Sequence, residues 1–493
     1  MLSGQAGYLV GGSLRDSLLG RRIVDLDLAV GGDAPTFARA LARRLDGHFV
    51  TLDDERGTSR IVLEDGPVRV IDVAELRGDI ETDLGLRDFT VDAIAAPIDE
   101  VAVGEDVELI DPHGGLSDIE ARVVRLVSEQ ALVDDPLRLL RAVRLCAQLE
   151  FDLAPESADA IRMHAALISE PAAERQRDEL ARCLATDRAA AALRLMDGLG
   201  LLERLLPEIT AGRGVTQPKE HHYDVFDHNI EAVAALDFLL GEREPDGARE
   251  ASFRRELWSA LSFDVARAHL ALEVSEGRSN KVLLKLATLL HDVAKPETRA
   301  PDETGRIRFF GHAERGAETA RAIMRRLRFS RRETDLVALM VEEHLRPGQL
   351  SQEGAPSRRA LYRYFRDTGE AADSILLLTL ADAYSAGGPR IDIGRWRGHV
   401  AYIAHVLSRR DEDETIARPP RLLTGEDVMA ELGIGPGPEV GRLLAEVEEA
   451  HAGGEVAGRA AALAFVRRRH ASASNVDRLS MPREAVAAPG AAA

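Results

Sequence analysis

At 493 residues, with 45% hydrophobic side chains, the chain has material for roughly three to four domains rather than one core. Its 30% charged and 4% aromatic content excludes collagen-like, mucin-like and wholly disordered proteins, and a net charge of −20 excludes one that coats nucleic acid through its whole surface. No apolar run reaches the ~20 residues of a membrane span, the N-terminus lacks signal-peptide order, and Cys146 and Cys183 alone build neither a disulfide framework nor a four-cysteine zinc module, so a cytoplasmic protein with no membrane partner is expected.

Strand and helix signals alternate at first. Residues 8–10 form a short apolar run ending in Gly11-Gly12, after which Ser13 is expected to cap a helix that closes at Gly20. Residues 24–30 read as a strand, 34–45 as a helix and 48–52 as a strand, and residues 60–63 and 68–73 read as a hairpin around Asp65-Gly66-Pro67. Together these predict a small α/β head over 1–126. From Asp134 onward strand signals almost vanish, and helical periodicity over 137–148, 172–185 and 190–206 predicts a helical neck over 127–215 that breaks near Pro207. A further helical unit is expected over 216–395, with a charged insert at 241–250, then a helical tail over 396–472 after Pro419-Pro420 and a disordered end over 473–493. The fold class is therefore α+β, a small α/β head followed by an all-helical body.

The first chemical constellation lies in the strand Val-Asp-Leu-Asp-Leu-Ala-Val at 24–30. A strand's period of two puts Asp25 and Asp27 on one face, where neighbouring carboxylates repel unless a cation sits between them. Hard oxygen donors in that pattern suit Mg²⁺, although a solvated pair at a strand end is the more common meaning of Asp-x-Asp alone. Gly11-Gly12 sits just upstream at a strand-to-helix turn, where missing side chains let a triphosphate approach backbone N–H groups. One turn on, Arg15 suits a phosphate fork with Asp16 orienting it, or a plain ion pair.

Read in order, Gly11-Gly12-Ser-Leu-Arg15-Asp16, Asp25-Leu-Asp27, Leu52-Asp-Asp-Glu-Arg56-Gly57-Thr58, Arg77-Gly78, Arg87-Asp88-Phe-Thr-Val-Asp92, Asp111-Pro-His-Gly114-Gly115, Asp134-Asp135-Pro-Leu-Arg138 and Glu174-Arg175-Gln-Arg177 resemble the class II tRNA nucleotidyltransferase and bacterial poly(A) polymerase family. The resemblance covers roughly residues 5 to 210 and continues more weakly to about 470. It implies a polymerase-beta-like head that transfers a nucleotide from ATP or CTP to an RNA 3′-hydroxyl, with tRNA as partner. By the same resemblance Asp25 and Asp27 hold Mg²⁺, Asp72 is a third carboxylate, and Arg87, Asp88 and Asp92 meet the ribose. Asp134, Asp135 and Arg138 would read the base edge, with Arg141 also on the nucleotide and Arg175 and Arg177 in a supporting salt-bridge network. Three positions depart from the family pattern: Leu86 stands where an arginine is usual, Asp92 where asparagine is, and Asp134 where glutamate is. Asp followed by Pro is also how a helix begins, with a cap and a first-turn proline.

The middle region carries His228, His291-Asp292, His312, His344 and Asp382, each on a separate predicted helix or loop. Imidazoles and carboxylates converging from several helices suit one or two divalent metals. Leu-Leu-His291-Asp292-Val-Ala-Lys295, Gly311-His312-Ala, Glu343-His344 and Ala-Asp382-Ala resemble the HD phosphohydrolase superfamily, which implies a metal site for phosphoester hydrolysis with Lys295 near the phosphate. Residues 422–427 and 435–441 resemble the tRNA-holding C-terminal region of the same nucleotidyltransferases.

The reading that absorbs most of these motifs is addition or repair of the 3′-terminal CCA of tRNA. Partial addition of CC or A, poly(A) synthesis, an HD phosphohydrolase with a vestigial head, and a non-catalytic RNA-binding scaffold are the alternatives.

Overall fold

The computed structural model describes residues 6–480 apart from 54–56, 104–106, 219–220, 246, 353–354 and 413–418, so Arg56 of the fourth-strand motif lies outside the described residues. The head is built on a mixed six-stranded sheet: β1 (Gly7–Val10), β2 (Asp25–Val30), β3 (His48–Asp53), β4 (Thr58–Val62), β5 (Val70–Glu75) and β6 (Ala95–Pro97), in the order β3-β4-β5-β2-β1-β6. Only β2 and β5 run parallel, in a register that sets Asp27 opposite Asp72, while β4 pairs antiparallel with β5 and sets Arg60 opposite Asp72. Residues directly opposite share a face of the pleat, so Asp27, Asp72 and Arg60 are gathered on one face by pairing alone.

Helix α1 (Gly11–Leu18) starts without a loop where β1 ends. Ser13 does not cap it: its hydroxyl donates to the Val10 carbonyl at 2.9 Å and accepts from the Asp27 N–H at 3.1 Å, which ties the glycine turn to the middle of β2. The helix α2 (Ala34–Leu45) is capped by Asp33, whose carboxylate accepts from the Thr36 N–H, and lays Ala34, Ala38 and Ala42 on Ile61, Ile71 and Val73 of the sheet. Spacing of four puts those small side chains on one stripe and lets the helix approach closely.

Past the head, the helices Arg138–Leu149, Ala173–Ala185 and Ala189–Gly198 form the neck. The periodicity over 190–206 is cut by Gly200, which takes a positive φ of 70°, leaving the short helix Leu202–Leu205. One apolar core runs from Phe89 in the head through the neck to Val406, so head, neck and middle region are packed together. The helices Val225–Leu240, Asn280–Leu290, His312–Arg326, Arg331–Glu343 and Ala372–Gly387 make up the middle. A separate core formed by Leu423, Val428, Leu443, Val447 and Val466 holds the tail helices. Its last helix, Gly458–Ser480, extends past 472 into the stretch where the sequence predicts disorder, and 481–493 lie outside the described residues. Among the described residues no helix is long and apolar enough to cross a membrane.

Candidate active sites

Asp25 and Asp27 leave β2 on the same side and line one cavity of about 400 Å³, shared with Asp72 and Arg60. The alternation that motivated the reading therefore survives folding. Burial, and then the neighbouring Asp72 carboxylate, push the Asp27 carboxyl above its usual range. A cation beside the pair would relieve that repulsion, so the donor set fits a divalent metal. Asp72 is currently held elsewhere, forked by Arg60 through two contacts of 2.8 Å.

The glycine turn is shaped by these groups. Gly11 has φ +70°, and a Cβ there would stand 3.2 Å from Asp27 Oδ2 and 3.1 Å from the Arg87 guanidinium, so a side chain would be both strained and crowded. Arg87 is aimed at the turn by Asp83, which accepts from its Nε at 3.3 Å, and by the Asp92 carbonyl at 3.4 Å. Gly11, Gly12, Arg87, Asp88, Asp92, Arg138 and Arg141 all line a cavity of about 310 Å³ that also contains Asp27 and Asp72.

Arg15 is committed inside the protein. It donates to Asp92 at 2.5 Å and to Asp16 at 3.0 Å, with Arg15 and Asp92 both buried, and it lines the cavity of Asp25 rather than that of Arg87. The Asp92 departure is thus answered by a buried cation. Burial still pushes the Asp92 carboxyl up, against the pull of Arg15. Asp88 accepts from the Phe89 N–H and pairs with Arg141 at 3.0 Å.

Asp134, Asp135 and Arg138 line a third cavity of about 750 Å³ together with Leu86 and Arg87. Asp134 is the last residue of the short helix Gln130–Asp134 and accepts from Gln130 at 2.8 Å. Asp135 accepts from the Leu137 N–H at 3.2 Å, just ahead of the helix Arg138–Leu149, which has no side-chain cap, and is forked by Arg175 at 2.8 and 3.2 Å. Arg138 reaches the Ala131 carbonyl at 3.1 Å and the Leu86 carbonyl at 3.4 Å. Arg177 is absent from all three cavity walls. It donates to Asp178 and to the Arg328 carbonyl at 2.6 Å and lies over the Phe329 ring, so it joins the neck to the middle region.

In the middle region all six predicted ligands converge. His228 Nε2 stands 3.1 Å from Asp382 and 3.3 Å from Asp292, His291 Nε2 is 3.4 Å from Asp292, and His312 and His344 face the other Asp292 oxygen at 3.4 and 3.9 Å. His291 and His344 follow the last turns of their helices, where carbonyls lack intrahelical partners. Their Nδ1 atoms bond the carbonyls of Thr288 and Val341 at 2.7 and 2.6 Å, and His312 Nδ1 bonds the Phe309 carbonyl at 2.7 Å. Each Nδ1 therefore carries the proton and each Nε2 lone pair points inward, the arrangement metal-ligating imidazoles need. His228 is oriented likewise by Ser385 at 3.0 Å. Burial, then the neighbouring His291, drive the His344 pKa down to about 3, keeping that ring neutral. Asp292 is held well below the usual range, because Lys295 at 2.5 Å and His291 outweigh its burial. His221 adds a ligand atom beside His228 and Asp382 that the sequence reading missed. It stands next to an identical His222, and nothing in the local pattern tells the two apart. Among the described residues the groups of three converging ligands lie in this centre, whose donors fit a divalent metal.

The chain is similar to known proteins along most of its length. The family model of the poly A polymerase head domain matches residues 7–125, that of the probable RNA and SrmB-binding site of polymerase A matches 150–212, and that of the HD domain matches 262–387. An A-adding tRNA nucleotidyltransferase of Deinococcus radiodurans is 38% identical over 93% of this chain and 94% of its own. A CC-adding tRNA nucleotidyltransferase of Thermus thermophilus is 36% identical over 93% and 92%. The fold also matches a Bacillus stearothermophilus CCA-adding enzyme crystallised with CTP, at 22% identity and a TM-score of 0.62 over 96% of this chain and 95% of that one. With such identity sustained from head to tail, the chain belongs to the tRNA nucleotidyltransferases.

Proposed function

We propose that this chain adds nucleotides of the 3′-terminal CCA to tRNA in the cytoplasm, using CTP and ATP. One observation carries the reading: Asp27, which shares one cavity with Asp25, also lines the cavity of the Gly11-Gly12 turn, where crowding at Gly11 leaves room only for backbone. In this reading Gly11 and Gly12 let the triphosphate lie against the start of α1, and Arg87 neutralises it from the opposite wall. Asp25 and Asp27 would hold Mg²⁺, with Asp72 joining when Arg60 releases it. When bound, that ion supplies charge neutralisation at the phosphoryl oxygens and acidifies the attacking hydroxyl. Asp134 accepts from an exocyclic amine, and Arg138 donates to the ring acceptors, so C and A are both readable. Asp92, neutralised by Arg15, remains an acceptor for a ribose hydroxyl, and Asp88 with Arg141 fixes the loop that presents it. The middle region is read as a separate divalent-metal centre for phosphoester hydrolysis, with Lys295 facing the phosphate.

A narrower reading, addition of A alone or CC alone, is favoured by four relatives that each match over at least 93% of the chain and carry single-step names. Gel extension of tRNA ending before CCA, after C and after CC, with CTP or ATP offered separately, tests all versions. Full addition requires both nucleotides to be incorporated in order. Incorporation of only one class assigns the narrower activity, and unlimited elongation with ATP assigns poly(A) synthesis. No extension of any substrate would sink the transferase reading.

A further inference from the structure

A cavity of about 610 Å³ opens beside the metal ligands of the middle region, within the ~300–1,000 Å³ of small-ligand pockets. It meets the centre at His312 and Phe309, which line it. The Phe309 carbonyl holds His312 Nδ1 at 2.7 Å, and the Phe309 ring lies 5.6 Å from Lys295 Nζ, so the cavity backs onto a ligand and onto the cation paired with Asp292. Two exposed apolar side chains also line it, Phe310 at 78% and Leu345 at 37% exposure. Each adjoins a ligand: Phe310 stands two residues before His312, and Leu345 directly follows His344.

Single exposed apolar residues are ordinary. Two that come from separate segments into one cavity, next to two ligands of one centre, make an apolar slot. The backbone helps to hold it open. Gly311 takes φ +75° where the helix His312–Arg326 begins, and of the two consecutive phenylalanines before it Phe309 is buried while Phe310 stays in water.

The charged groups decide which part of a substrate this slot takes. Arg346, which lines it, is committed to Glu343 at 3.1 Å and to Asp367 at 2.8 Å. Glu342 is approached by Arg321 at 3.4 Å, whereas Glu314 makes no ion pair among the described residues. With its arginine neutralised and a carboxylate to spare, the slot repels phosphate and accepts N–H donors. Phosphate belongs instead with Lys295 and the metal ligands. A planar, uncharged group bearing N–H donors is a nucleobase, whose face stacks on an aromatic ring whatever its sequence, and nucleotides are what the family of this chain handles.

We propose that this cavity is a base-binding pocket of the middle-region centre: a nucleotide phosphoester enters with its base stacked on Phe310 beside Leu345 and one N–H of the base edge donated to Glu314, which leaves its phosphate toward Lys295 and the ligands. The inference rests on the phosphoester reading of that centre and deepens it by naming the substrate class and the residue that selects it. Fluorescence of 2-aminopurine riboside 5′-monophosphate on the Mn²⁺-loaded protein tests it, because stacking on an aromatic ring quenches that base. Signal that survives His291→Ala belongs to the head and is subtracted. The parent is expected to quench the probe. Phe310→Ala should lose the quenching and bind the probe at least ~5-fold more weakly, the lower end of what stacking one base contributes, while Phe310→Tyr keeps both. Glu314→Ala should weaken the probe several-fold with quenching retained at saturation. Ribose 5-phosphate, which has no base, should bind the parent and Phe310→Ala alike in a calorimetric titration. Phe310 is exposed, so an unchanged melting temperature and metal content check that its variants are intact. Equal quenching and affinity in the parent and Phe310→Ala, with ribose 5-phosphate still bound in a His291-dependent way, would overturn the base pocket alone. If neither compound binds in a His291-dependent way, the phosphoester reading falls and the pocket falls with it.

Discussion

In the head, Asp25 and Asp27 leave a single strand and face an open cavity, whereas the middle region closes six ligands from five helical segments into a centre where the histidines are 0–9% exposed. The two places also manage charge differently. Around the carboxylates the balance comes from arginines, Arg60 forking Asp72 and Arg15 bonding Asp92 through one nitrogen. In the HD centre the orientation comes from the backbone: carbonyls of Thr288, Phe309 and Val341 each hold one Nδ1. An open site admits two large substrates and keeps its donors exchangeable. A closed one fixes donor geometry before any ligand arrives, at the cost of desolvating several charges.

If the two sites are as separate as this contrast implies, each can be removed without the other. Asp27→Asn is expected to have the largest effect. It takes one charged ligand from a cation that supplies several kcal/mol of transition-state stabilisation, so kcat/KM for tRNA extension should fall on the order of 10³-fold or more. Metal bound by the HD centre, counted by elemental analysis, should be unchanged, and a variant that loses both would break the comparison. His291→Ala is the converse. It should strip the HD metal, and with it the rise in melting temperature that a divalent ion at 100 times its Kd would give, equivalent to about 2.7 kcal/mol. Extension of tRNA should remain near that of the parent, and its collapse would show that the HD metal supports the head.

The contrast also explains what could be read in advance. Asp25, Asp27 and Gly11 were legible because their geometry is local: period-two alternation and a glycine turn survive any packing of the rest. Each HD ligand was recognisable on its own helix, but His221 entered the cluster only through tertiary packing, and Ser385 showed no sign of serving His228. Arg60 against Asp72 follows from strand register between β4 and β5, and Arg15 against Asp92 joins α1 to a loop far along the chain; both pairings are long-range, and a single sequence does not encode them visibly. The cap-and-proline start that Asp135-Pro136 suggested is not formed: the short helix Gln130–Asp134 precedes it, and the helix Arg138–Leu149 begins after Leu137 without a side-chain cap.

Smaller substitutions sharpen the difference between backbone-fixed and side-chain-fixed groups. Ser385→Ala removes the hydroxyl that orients His228 while leaving the ligand in place. Loss of such an outer partner typically costs 10- to 100-fold in metal affinity, and about 10-fold is expected here because His228 is one ligand among six. Competition with a chelating dye measures it. Affinity equal to the parent would mean that packing alone orients the ring.

Beside the proposed nucleotide site the corresponding outer partner is Arg175 of the neck, and its effect should be the smallest. Its fork on Asp135 is half exposed, with side-chain accessibilities of 53% and 35%, so solvent screening limits the pair to no more than ~1 kcal/mol. Asp135 keeps its second anchor, the Leu137 N–H, one residue ahead of the helix that carries Arg138. Arg175→Ala should therefore loosen Arg138 rather than remove it: KM for the incoming nucleotide should rise about fivefold at most, with kcat nearly unchanged and discrimination between CTP and ATP reduced. Arg175→Lys should recover little of this, since an ammonium cannot reproduce the two-pronged contact. A loss in kcat as large as that of Asp27→Asn would instead mean that Arg175 touches the reacting nucleotide itself.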